Sequence, residues 1–218
     1  MRSVTFRKQR HDATARILLD AAEAVLAEKG VGSTTMRDIA AKAGCAAGTI
    51  YLYFKTKQEV IDAIATHHSG ILLGELDGVL ALAAAPLEKL HRITDALVDY
   101  FSQRRSVLRI LSAGGLATLE SLPPAPRKAW EEFLGKELEL IRRAQAGGTV
   151  RNDCPAEMIQ QFMYIVIIGL RENLTRGGGG KTPAADVDRK KIWEFLNGGI
   201  GGVAKGVVPQ KGARGAKK

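Results

Sequence analysis

Residues 34–60 read TTMRDIAAKAGCAAGTIYLYFKTKQEV, and the fold turns on this stretch. Thr35 followed three residues later by Asp38 is a capping-box pattern: the hydroxyl can accept one orphan amide hydrogen, and the carboxylate can accept that of the cap residue. A helix is expected to begin there. Met36, Ile39, Ala40 and Ala43 then recur at i, i+3, i+4 and i+7, the spacing of a single buried face. Gly44 permits a sharp turn, and Ile50 with Phe54 supplies the buried side of a short second helix. Two short helices joined through a glycine turn form helix-turn-helix geometry.

The second helix is expected to turn Ala47, Gly48, Thr49, Tyr51 and Tyr53 outward or end-on, with Lys55 and Lys57 beyond its far end. Small residues at its start allow close approach to the floor of a DNA groove. Tyrosines offer apolar edges to thymine methyls and hydroxyls to phosphate oxygens. The competing interpretation is that Tyr51 and Tyr53 simply cover the domain's own core.

Outward from this stretch, breakers divide the chain at Gly30–Ser33, Pro86, Leu122–Pro126, Gly147–Pro155, Gly177–Pro183 and the Gly-rich end after Asn197. Between them the apolar residues keep helical spacing, as in Ile17, Leu18, Ala21 and Val25, and alternation of period two is absent. The expected fold is all-α, with about nine helices. Its parts are a basic N-terminal arm over 1–12, a helix-turn-helix domain over 13–58, a larger helical domain over 59–206 and a basic flexible tail over 207–218.

The chain has 218 residues, 45% hydrophobic and 25% charged, which suits a soluble globular protein with a core of ordinary size. Its net charge of +9 is concentrated at the ends. Arg2, Arg7, Lys8, Arg10 and Arg16 face only Asp12 in the first sixteen residues, and Lys205, Lys211, Arg214, Lys217 and Lys218 face no acid in the last sixteen. Basic ends on a neutral body suit contacts with DNA phosphates, or plain solubilisation. Cys45 and Cys154, far apart, suggest neither a disulfide framework nor zinc. The apolar run Met158–Leu170 is too short to span a membrane, which takes about 20 residues, and no signal peptide opens the chain. A cytoplasmic protein without membrane partners is expected.

The dense run Thr35, Arg37, Asp38, Ile39, Ala40, then Gly44, Gly48, Thr49, Ile50, Tyr51, Tyr53, Phe54 and Lys57 resembles the signature of the tetracycline-repressor (TetR) family. The likeness is detailed over roughly the first 65 residues; beyond them only the helical layout and Arg151–Glu157 look familiar. It implies a homodimeric repressor on a palindromic double-stranded DNA operator. Arg37 and Tyr51 would reach bases, while Thr35, Thr49, Tyr53 and Lys57 would hold phosphates. Ala47 stands where the family often has a polar side chain, and Ala46 where a serine often caps the recognition helix.

The resemblance also implies a cavity for a small effector in the larger domain. Tyr100, Phe101, Leu111, Trp130, Phe133, Met163 and Tyr164 are its candidate lining, with few charges, suiting an apolar or aromatic ligand. The competing view is that they are core side chains. The helix around Ile159–Leu170 is apolar on both sides and so must be covered twice. Ile159, Val166, Ile167 and Leu170, with Phe195 from a last helix, are therefore expected at a two-fold interface.

His67, His68 and His91 lack the companions of a metal site and are expected as surface or capping residues. No metal or cofactor is expected. An enzyme is disfavoured, since no nucleophile elbow, phosphate-binding loop or His-Glu-x-x-His helix occurs. An architectural DNA-binding protein with little sequence preference remains the alternative to an operator reader.

Overall fold

The computed structural model describes the backbone of residues 2–176 and side chains from 13 to 172. The expected ninth helix with Phe195, and the tail over 207–218, lie outside the described residues. Eight helices follow one another: α1 (Arg2–Lys29), α2 (Met36–Lys42), α3 (Ala47–Tyr53), α4 (Lys57–Leu80), α5 (Pro86–Gln103), α6 (Arg105–Ala113), α7 (Pro124–Ala146) and α8 (Ala156–Arg176). The described residues contain no strand. α1 already begins at Arg2, so residues 2–12, read as an arm, continue the first helix instead.

Local chemistry accounts for the helix starts. Pro86 opens α5 and Pro124 opens α7, at positions where a missing amide hydrogen costs nothing. Thr56 caps α4, its side chain accepting from the Glu59 amide at 3.1 Å. Gly148 closes the end of α7 at φ +69°, a left-handed conformation that glycine takes without strain.

Two apolar cores share α4 as a spine. The first joins Leu18, Ala22 and Leu26 of α1 to Met36, Ile39 and Ala40 of α2, Ile50 of α3 and Phe54, then to Val60, Ile61, Ile64 and Ala65 of α4. The second gathers Leu72, Leu73 and Leu76 of α4 with the inner faces of α5, α7 and α8. Val107, Ile110 and Leu116 from α6 and the turn after it belong to the first core, not the second. The boundary expected at residue 58 is thus crossed twice, once by the first half of α4 and once by α6.

That junction is tight. A Cβ on Gly114, at the end of α6, would lie 2.7 Å from Ile61 Cγ2, so α6 closes onto α4 only with glycine there.

Candidate functional site

The N-terminal candidate site is built on the cap of α2. The Asp38 amide donates to Thr35 Oγ1 at 3.2 Å, and Asp38 Oδ2 accepts from the Thr35 amide at 2.8 Å. The Thr35 hydroxyl donates to the same carboxylate at 2.6 Å. Lys29 Nζ reaches Asp38 Oδ1 at 2.6 Å, tying α1 to α2. The hydrogen bond from Lys29, followed by those from Thr35, holds the Asp38 carboxyl well below the usual carboxylate range. This anchored cap leaves Arg37 exposed at the first turn of the helix.

Gly44 makes the turn between α2 and α3 at φ +67°. On α3, Ala47, Gly48 and Tyr51 are exposed, Thr49 and Tyr53 are half-buried, and Ile50 is fully buried. Tyr53 packs against the first core, the covering role weighed for it, whereas Tyr51 is 43% exposed. Ala46, the N-cap of α3, makes no side-chain hydrogen bond there.

Lys57 is placed differently from the phosphate contact that the resemblance implies. Its ammonium donates to the carbonyls of Val31 at 2.5 Å and Thr34 at 2.9 Å, clamping the α1–α2 turn from the start of α4. Leu52, 74% exposed on α3, was not singled out in the sequence, and nothing in its spacing distinguishes it.

In the larger domain, the seven aromatic and apolar candidates come together around one cavity of about 150 Å³. Tyr100 and Phe101 come from α5, Leu111 from α6, Trp130 and Phe133 from α7, and Met163 and Tyr164 from α8. Trp130 and Phe133 meet edge to face at 5.8 Å between centroids, and the Trp130 indole donates to Ser69 Oγ at 3.2 Å. An apolar cavity of roughly 150 Å³ is large enough to take a benzene-sized molecule.

Polar groups in this wall escaped the sequence reading. His68, expected at the surface, is 8% exposed, because it lies on the same face of α4 as Ile61, Ile64 and Leu72. Its Nδ1 is 2.6 Å from the Tyr100 hydroxyl, which also donates to the His68 carbonyl at 3.1 Å, and its Nε2 is 2.8 Å from Glu23 Oε1. Burial pushes the Tyr100 phenol upward, beyond the range of any ordinary pH. Glu137 is 6% exposed on the inner face of α7, and burial raises its carboxyl above the usual 4.5. Spacing held the signal for both: Glu137 stands four residues after Phe133 and four before Ile141, on the apolar stripe.

On α8, the expected interface set divides. Ile159 and Ile167, at 3% and 8% exposure, face the protein's own second core, and Val166 and Leu170 are half-buried against it. The open apolar stripe is instead Met158, Phe162 and Ile165, at i, i+4 and i+7, with Gly169 continuing it. Upstream, Arg151 grips Asp153 through two hydrogen bonds of 2.7 and 2.6 Å, Gln145 binds the carbonyls of Arg151 and Cys154, and Glu157 meets Arg142 at 2.6 Å. The Arg151–Glu157 stretch thus sets the entry of α8.

Among the described residues, no group of three or more His, Cys, Asp or Glu is arranged to hold a metal, and no helix is long and apolar enough to cross a membrane.

Comparison with known proteins agrees with this architecture. Residues 18–64 match the family described as bacterial regulatory proteins, tetR family. The HTH-type transcriptional repressor KstR2 of Rhodococcus jostii is 38% identical over 154 residues, 67% of this chain and 72% of that protein. The uncharacterised HTH-type regulator YvdT of Bacillus subtilis is 27% identical over 84% of this chain and 93% of its own length. Among solved structures, the ketosteroid transcriptional regulator KstR2 of Mycobacterium tuberculosis superposes with a TM-score of 0.68 at 23% identity, covering 87% of this chain and 95% of that one. The fatty acid degradation regulator FadR of Bacillus halodurans gives 0.67 at 21% identity, covering 84% and 93%. With the helix-turn-helix in place and a relative this similar over most of its length, the chain belongs to the TetR family of helix-turn-helix transcriptional regulators.

Proposed function

We propose that this protein is a cytoplasmic repressor that binds a palindromic operator as a homodimer and leaves it when a small, largely apolar effector enters the cavity. The observation that carries the reading is the position of that cavity. Tyr100 in its wall is hydrogen-bonded to His68, and His68 in turn to Glu23 of α1, so a change in the cavity has a mechanical route to the DNA-reading helices.

In this reading, Arg37 and Tyr51 touch bases, and Thr35, Thr49 and Tyr53 contact phosphates. Ala47 and Gly48 let the recognition helix sit close to the groove floor. Lys57 serves by holding the turn before Thr35, with its ammonium already occupied by two carbonyls. A single reading head offers few base contacts, each good bidentate pair giving about 1–3 kcal/mol of discrimination, so two heads are needed. The stripe Met158, Phe162 and Ile165 is the surface on which a second copy would pair.

Two structural neighbours, one described as a fatty acid degradation regulator and one as a ketosteroid transcriptional regulator, are in keeping with an apolar effector. Selecting bound sequences from a random duplex pool tests the proposal. A two-fold symmetric motif is expected; salt-sensitive binding with no enriched motif would instead indicate an architectural DNA-binding role.

A further inference from the structure

Among the described residues, Glu137 is the one carboxyl in the cavity wall, and its surroundings define what can sit beside it. The side chain is 6% exposed. Oε2 accepts from Gln160 Nε2 at 3.0 Å, and that amide is also bound to the Leu134 carbonyl at 2.7 Å, which fixes its orientation. Oε1 has no hydrogen-bond partner among the described residues, yet no side-chain oxygen there is both sealed and unpartnered, so Oε1 keeps open surface where Glu137 lines the cavity. No lysine or arginine among the described residues pairs with it.

A carboxyl that shares this wall with Leu134, Phe133 and Met163, and has no cation bonded to it among the described residues, is pushed toward its protonated form by desolvation. Gln160 donates to one oxygen, which leaves the other to carry the proton and to donate it. The cavity therefore holds a hydrogen-bond donor in an otherwise apolar wall. Arg171, the cation in the same lining, is already engaged: its guanidinium donates to the Ala117 carbonyl and lies 3.6 Å from Glu172 Oε1.

We infer that the cavity selects a neutral, largely apolar ligand that presents a carbonyl oxygen to the Glu137 carboxyl. This rests on the reading of the cavity as an effector site. A carboxylate ligand would set two acids against each other at Glu137, with Arg171 spoken for. An amine would require an ammonium and a carboxylate to be desolvated together among apolar walls.

Isothermal titration of the full-length protein with four probes of similar shape tests this: acetophenone, ethylbenzene, benzoate and benzylamine. Acetophenone is expected to bind about fivefold more tightly than ethylbenzene, the ratio given by one net hydrogen bond, with benzoate and benzylamine weakest. The ratio should persist in Glu137→Gln, which keeps a donor, and fall to about one in Glu137→Leu. Infrared spectroscopy gives a second measure that needs no variant: the carbonyl stretch of bound acetophenone should move to lower frequency, as it does when the oxygen accepts a hydrogen bond. Benzoate or benzylamine binding as tightly as acetophenone would overturn the inference, as would an unshifted carbonyl stretch. Equal binding of acetophenone and ethylbenzene would also remove the role of Glu137 while leaving an apolar effector site. Failure of all four probes to bind would remove the effector reading with it.

Discussion

His68 Nε2 lies 2.8 Å from Glu23 Oε1, and this contact joins α4, at the seam between the two cores, to the C-terminal part of α1. The other ring nitrogen meets the Tyr100 hydroxyl, so Glu23 and Tyr100 act on one imidazole from opposite sides. Their contributions to stability should therefore not add. In a double-mutant cycle by urea denaturation, Glu23→Gln and Tyr100→Phe are expected to couple by about 0.5–3 kcal/mol. Glu23→Gln with Lys136→Ala, which breaks the distant 2.7 Å pair with Asp77, should be additive within about 0.5 kcal/mol. Additivity of the first pair would mean that the imidazole transmits nothing between them.

Glu137 gives stability a pH dependence of definite sign. Its folded value is raised above the ordinary 4.5, so the stability associated with the protonated carboxyl is fully present below about 4.5 and is lost as pH rises through the folded value. Relative to Glu137→Gln, the native protein should lose unfolding free energy on going from acid toward neutral and alkaline pH. Denaturant titrations of both proteins across that range check this, and parallel curves would place the titration elsewhere.

Ala46 leaves the recognition helix without a side-chain cap, although its φ of −63° and ψ of 144° suit one. Ala46→Ser should stabilise the protein by about 0.5–1 kcal/mol through a bond to an amide at the start of α3. Thermal unfolding of the two proteins, compared at equal concentration, reads this directly.

Arg37 and Lys57 should fail in different ways. Arg37→Ala removes an exposed side chain and should leave stability within about 0.5 kcal/mol while weakening operator binding and relaxing preference at one base pair. Lys57→Ala leaves the Val31 and Thr34 carbonyls without their ammonium donor and should lower stability by about 1–3 kcal/mol as well as weakening binding to every sequence. Chemical denaturation beside operator titrations separates the two; an unaltered stability for Lys57→Ala would return that lysine to direct phosphate contact.

Ile165→Asp should yield a folded monomer, because Ile165 is 60% exposed and a charge there meets solvent in the separate chain. Ile167→Asp should unfold the protein, since its side chain belongs to the second core. Sedimentation and circular dichroism distinguish these outcomes, and a dimer retained by Ile165→Asp would move the interface off this stripe.

What was legible in the sequence followed from local rules. The Thr35–Asp38 cap, the Gly44 turn and the burial of Ile39 and Ile50 depend on neighbours a few residues away, and each was readable. The aromatic residues around the cavity were named through the family resemblance, which implies an effector cavity in the larger domain, and not through any local rule. The clamp that Lys57 places on the α1–α2 turn was not readable, because its partners stand 26 and 23 residues upstream, where no periodicity points. On α8 the sequence showed that both sides are apolar, but which side faces inward depends on where α5, α6 and α7 lie. His68 and Glu137 occupy apolar register positions, and a polar residue in such a register was the signal left unused.

The sharing of α6 limits how freely the parts of this protein can be exchanged. Val107 and Leu116 complete the core of the reading head and also wall the cavity. A graft that transplanted residues 13–58 alone onto another regulator would leave that head short of its floor. Recombination within the family would therefore keep the head only where the incoming partner brings its own helix to fill the same place, with glycine at the closing position opposite Ile61.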